Sequence, residues 1–210
     1  MKTTTCAAFL GRLALVLGFA GFAQAQIVLD PNLPSTGRSP LPNVQSVLAN
    51  GSGCPMGKDV STLVQGDILW VKFPDAQTAQ TGPNTSLSAS RRNCAITLRF
   101  GSSDRTFTID SVAFFIDADL PAQSTAFAQV SWFFEGQGQT GSFADSLQGD
   151  YSGTWLNNFD TPVSNEVWKP CGLDRALTVN SSIRISGPRD QAAQAQWQVV
   201  GFHLKSKSCY

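Results

Sequence analysis

The sequence predicts an all-β protein: an antiparallel sandwich of jelly-roll type, braced by disulfides. Three observations predict it. Apolar residues alternate with polar ones at period two in run after run, and no twelve-residue window carries a helical stripe. Gly-, Asp- and Pro-containing turn signals separate the runs at short intervals, the pattern of sandwiches and barrels. Behind an export signal stand four cysteines, an even number that suits oxidative pairing.

Residues 1–25 read as that export signal. Lys2 and Arg12 give a basic start, residues 13–20 form a short apolar run, and Ala23-Gln24-Ala25 fits a small-x-small cleavage site. The run is too short to span about 30 Å of hydrocarbon, and no later stretch qualifies as a membrane span. Secretion is therefore expected, to the extracellular space or, in a bacterium, to the periplasm or cell surface. Residues 26–50 follow as an extended arm in which Pro31, Pro34, Pro40 and Pro42 remove backbone donors and fix φ. Residues 51–210 are assigned to one sandwich domain.

Within the domain, Leu69, Val71 and Phe73 share a face opposite Trp70 and Lys72. Residues 74–90 are small and polar and read as a long loop between strands. Cys94, Ile96, Leu98 and Phe100 then alternate with Ala95, Thr97 and Arg99, as a half-buried strand requires. Phe107 and Ile109 share one parity while Val112, Phe114 and Ile116 share the other, which predicts a β-bulge between them. Ala126, Ala128, Val130, Trp132 and Phe134 line one face of another strand, and residues 177–185 alternate in the same way. A second phase change separates Trp197 and Val199 from Val200, Phe202 and Leu204.

Cys6 falls in the signal, leaving Cys54, Cys94, Cys171 and Cys209. No two are close enough for a zinc knuckle, so no metal is assigned. Three pairings are open. Cys54–Cys94 with Cys171–Cys209 is favoured because each then joins near neighbours in sequence.

Charged residues are only 14% of the chain, and fifteen basic groups balance fifteen acidic ones. With no basic stripe, nucleic-acid binding is excluded as a reading. His203, the one histidine, lies in an alternating strand, and no Gly-x-Ser-x-Gly elbow accompanies it. Asp117, Asp119, Glu135, Asp145 and Asp150 are the carboxylates available to a glycoside-hydrolase pair, and Asp117 with Asp119 share a parity beside a turn. Among five tryptophans, Trp132 and Trp197 sit at core parity. Trp70, opposite an apolar face, and Trp155, after a Gly-rich turn, are the candidate ligand-binding aromatics. Arg91-Arg92 beside Cys94 is a candidate anion or partner contact, read first as a solvated pair.

Several stretches occur together in order: Gly53-Cys54-Pro55-x-Gly57, Leu87-Ser88-x-x-Arg91-x-Asn93-Cys94, Ser131-Trp132-Phe133-Phe134-x-Gly136, Leu147-x-Gly149, Pro170-Cys171-Gly172, residues 177–185 and Cys209. Over about residues 50–210 this resembles the secreted domain of unknown function numbered 4360, of fungi and bacteria. The resemblance implies an exported cysteine-containing domain and brings no catalytic mechanism. The chain departs from the family's aromatic-x-Trp-Lys-x-Cys ending, having Phe202-His203-Leu204-Lys205 before Ser206-Lys207-Ser208-Cys209. The expected role is a non-enzymatic extracellular or cell-surface binding module, without cofactor, whose partner is a carbohydrate or a surface protein. The alternatives are a secreted polysaccharide hydrolase using a carboxylate pair, and a structural envelope or matrix protein.

Overall fold

The computed structural model describes residues 44–210 apart from 58, 102 and 162–165. Residues 1–25, read as an export signal, and residues 26–43 of the Pro-rich arm lie outside the described residues. Eleven strands run in chain order: β1 Val44–Asn50, β2 Ser61–Gln65, β3 Ile68–Lys72, β4 Thr78–Thr81, β5 Arg91–Phe100, β6 Arg105–Leu120, β7 Thr125–Phe134, β8 Gly141–Gln148, β9 Tyr151–Asp160, β10 Leu177–Ser186 and β11 Ala193–Ser208. Among the described residues the only helical pieces are two short 3-10 turns, at Pro55–Gly57 and Leu87–Ser90.

The strands form two antiparallel sheets. One has the order β1-β5-β10-β7-β8; the other has β2-β3-β11-β6-β9, with β4 also paired to β11. Residues 44–50, assigned to the arm on composition, form β1 and pair with β5 from Val44 to Asn50. Prolines 31–42 mark the arm, but Val44, Val47 and Ala49 alternate toward the core. The loop at 74–90 likewise contains a strand. Ala79 and Thr81 turn inward as β4 pairs with residues 193–196 of β11, and small side chains had hidden the alternation.

Both phase changes are bulges, and both fall on the β6–β11 ladder. Trp197 faces Ile116 and Val199 faces Phe115, so Gln198 is the extra residue on β11. His203 faces Ser111 and Leu204 faces Ile109, so Asp110 is the extra residue on β6.

The core is aromatic. Phe114 is fully buried, with Phe143 and Phe159 stacked at 5.4 and 6.2 Å and Trp155 and Trp197 meeting it edge-on at 5.2 and 5.6 Å. Phe143 comes from the five-stranded sheet and the others from the six-stranded one, so this ring ties the layers together. Phe100, Phe107 and Phe134 form a second chain of edge-to-face contacts, again alternating between sheets.

Cys54 bonds Cys94, and Cys171 bonds Cys209. The two bridges differ in burial: Cys54 and Cys94 are in the core, whereas Cys171 is exposed and Cys209 half-buried. Thiol–disulfide exchange needs in-line access to a sulfur. Dithiothreitol applied to the native protein is therefore expected to open Cys171–Cys209 first, leaving Cys54–Cys94 intact until global unfolding. Alkylation and peptide mapping over a time course checks this, and simultaneous loss of both bridges would contradict it.

Candidate functional site: a cationic groove on the five-stranded sheet

The two candidate tryptophans are not brought together. Trp155 is 6% exposed and belongs to the core. It sits on β9 with its indole between the sheets, and its Nε1 donates to Asp145 Oδ2 at 3.2 Å. The expectation of an exposed ring is corrected: β9 turns Trp155 inward and Leu156, 58% exposed, outward. Hydrophobicity gives no parity there, because residues 152–154 are small and the adjacent apolar residues Trp155 and Leu156 fall on opposite faces. Trp70 does point outward, on the six-stranded sheet, and is half-buried. Its ring covers Gly201, where an added Cβ would meet Cζ3 at 2.6 Å. The glycine thus makes the slot in which the indole packs.

The carboxylates are dispersed. Asp145 also accepts from Asn157 Nδ2 at 2.9 Å and from the Ser146 amide at 2.8 Å, which makes it the polar pin of the β8–β9 side. Glu135 lies 3.8 Å from Arg99. Asp117 and Asp119 are exposed on the outer side of the other sheet, where Asp117 accepts from Thr154 at 2.9 Å. No group of three or more His, Cys, Asp or Glu among the described residues is placed to hold a metal ion. His203 is exposed, its Nδ1 3.8 Å from Asp67. Glu166 is held below the usual carboxylate range, first by its hydrogen bond from Lys205 Nζ at 3.0 Å and then by one from Trp168, against the opposing effect of burial.

What the sheets do assemble is a groove on the outer face of the five-stranded sheet, about 500 Å³ in volume. Polar-parity positions of three adjacent strands meet there in two cross-strand rows. Arg184 of β10 lies opposite Arg91 of β5 on one side and Phe127 of β7 on the other. In the next row Ser182 lies between Asn93 and Gln129. The Arg184 guanidinium sits over the Phe127 ring, 4.8 Å from its centroid. Arg92 closes one end, its Nη1 donating to the Ser88 and Arg91 carbonyls. Farther along β7, Phe133 also faces outward, about 20 Å from Phe127 at the usual strand rise.

Arg91 and Arg92 stood out in the sequence as a pair; Asn93, Ser182 and Arg184 entered only as members of the family motifs, and Phe127 and Gln129 not at all. Each sits on the polar side of an alternating strand, and only the register of β5, β10 and β7 reveals that they are neighbours.

A family model described as "Domain of unknown function (DUF4360)" matches residues 41–209. The chain belongs to that family. Another protein similar to this DUF4360 chain is an uncharacterized secreted protein of Arthroderma benhamiae, 26% identical over 155 residues that cover 71% of this chain and 63% of the relative. The chain thus spans less than two thirds of that relative's length. That secreted relative and the two disulfides fit an extracellular location; no helix among the described residues is long and apolar enough to cross a membrane. Similar solved structures include TmCBM61 in complex with β-1,4-galactotriose, 10% identical with a TM-score of 0.27, covering 79% of this chain and 90% of that one. A family 11 carbohydrate-binding module from Clostridium thermocellum, in complex with a β-1,3-1,4-mixed-linked tetrasaccharide, is 12% identical with a TM-score of 0.25, covering 76% and 89%. TM-scores this low carry no argument about what the DUF4360 chain binds.

Proposed function

We propose that this protein is an extracellular binding module and that its ligand, a carbohydrate, lies across the outer face of the five-stranded sheet. The groove is the observation that supports the reading. A sugar presents hydroxyls that both donate and accept, and C–H faces that pack on rings. Asn93, Gln129 and Ser182 offer amide and hydroxyl groups of both senses in one row, beside the Phe127 ring. These groups stand on strands rather than loops, so they are held in place before a ligand arrives and little ordering cost falls on binding.

Isothermal titration and affinity electrophoresis of the mature protein against a panel of soluble polysaccharides tests the proposal. Binding to at least one glycan is expected. Phe127→Ala or Gln129→Ala should weaken it about tenfold, the loss typical of one well-placed contact, with the unfolding temperature little changed. Full affinity in both variants would place the ligand elsewhere, and no binding across the panel would refute the carbohydrate assignment.

A further inference from the structure

Arg91 and Arg184 occupy directly opposed positions on neighbouring strands. Like charges so placed destabilise a sheet, and a carboxylate nearby would offset the repulsion. Here none of the residues lining the groove is acidic. The row continues through Phe127 to Ser146, and the next row holds Asn93, Ser182 and Gln129. Among the described residues, neither the Arg91 nor the Arg184 guanidinium has a hydrogen-bond or ion-pair partner in the protein. Several other cations are engaged: Arg99 lies beside Glu135, Arg105 donates to Ser206, and Lys205 pairs with Glu166 and Asp110. The Arg184 guanidinium carbon lies 4.8 Å from the centroid of the Phe127 ring, a cation–π contact that engages no N–H group of the fork. The chain has no net charge, so this cationic site is a local feature and not the trace of a basic protein.

We infer that the groove selects an acidic glycan, with Arg91 and Arg184 donating to a carboxylate or sulfate on the sugar chain. The inference rests on the carbohydrate reading of this face and adds the ligand's charge. A guanidinium fork matches either oxyanion, and an anion placed between the two arginines removes the repulsion that the free protein carries.

The test compares matched polymers at about 0.15 M salt, where screening beyond roughly 8 Å leaves only close contacts to count. Polygalacturonate is set against its carboxyl-reduced form, and dextran sulfate against dextran. At least one acidic polymer should bind ten times or more tighter than its neutral partner, and which pair shows it names the oxyanion. Arg184→Gln and Arg91→Gln should each remove most of that preference without lowering the unfolding temperature, since each also removes a like-charge contact. Lys72→Gln, on the other sheet, should leave it intact. Equal binding of acidic and neutral forms overturns the inference while the carbohydrate reading survives. So does a preference that persists in both arginine variants, or one that Lys72→Gln reduces equally. Failure of every polymer, charged or neutral, removes the carbohydrate reading as well.

Discussion

Replacing Phe114 with alanine is expected to cost about 4 kcal/mol of stability, within the range for truncating a buried phenylalanine. The ring is fully buried and touches four other aromatic rings drawn from three further strands. Its loss removes both the burial of its own surface and the stacked and edge-on contacts that fix Phe143, Phe159, Trp155 and Trp197. No backbone shift fills the space, because Phe114 lies on β6, which is paired on both sides by β11 and β9. Urea denaturation of the mature protein measures the change. The thermal midpoint should fall by roughly 8–16 °C for a domain of this size. Phe115→Ala is the control: its neighbour faces outward and is only half-buried, so its loss should cost well under half as much. Equal costs would mean that the parity of β6 is misassigned.

The second large effect is removal of the buried bridge. Cys54 and Cys94 are 40 residues apart, and opening a loop of that length frees the unfolded chain by about 4 kcal/mol in the entropic account of cross-links. Cys54→Ala with Cys94→Ala adds a packing defect, since both sulfurs lie in the core. Cys171→Ala with Cys209→Ala opens a loop of nearly the same length, with separation 38, but one cysteine there is exposed and little core is disturbed. Denaturation of the two double variants in parallel separates the contributions. Both should lose several kcal/mol, and the Cys54/Cys94 variant should lose more. A neutral result for the buried pair would show that native contacts already confine that loop in the unfolded chain.

Much of this architecture is legible in the sequence. Cys94 to Phe100, Ala126 to Phe134 and Leu177 to Ile185 all put their apolar parity inside, and Trp132 and Trp197 are in the core. The phase breaks in β6 and β11 proved to be bulges because a single inserted residue inverts every later side chain, and that leaves a trace in hydrophobicity alone. Weak alternation hid the rest. β4 is built from Thr, Ala and Gln, whose inward members are small, and β9 carries apolar residues at both parities. Trp155 was misplaced for that reason. The groove was the least legible feature. Its residues come from β5, β7 and β10, and strand order 5-10-7 is a property of pairing between distant segments rather than of any one of them.

That pairing order also bears on export. β11 lies between β6 on one side and β3 with β4 on the other, so the six-stranded layer lacks its middle until residues 193–208 are present. A polypeptide threaded through a translocation channel N-terminus first has nothing to join β3 to β6 while those residues remain inside. The edges that β3 and β6 leave open are filled only by residues 193–208, so in chain order the six-stranded layer is completed last.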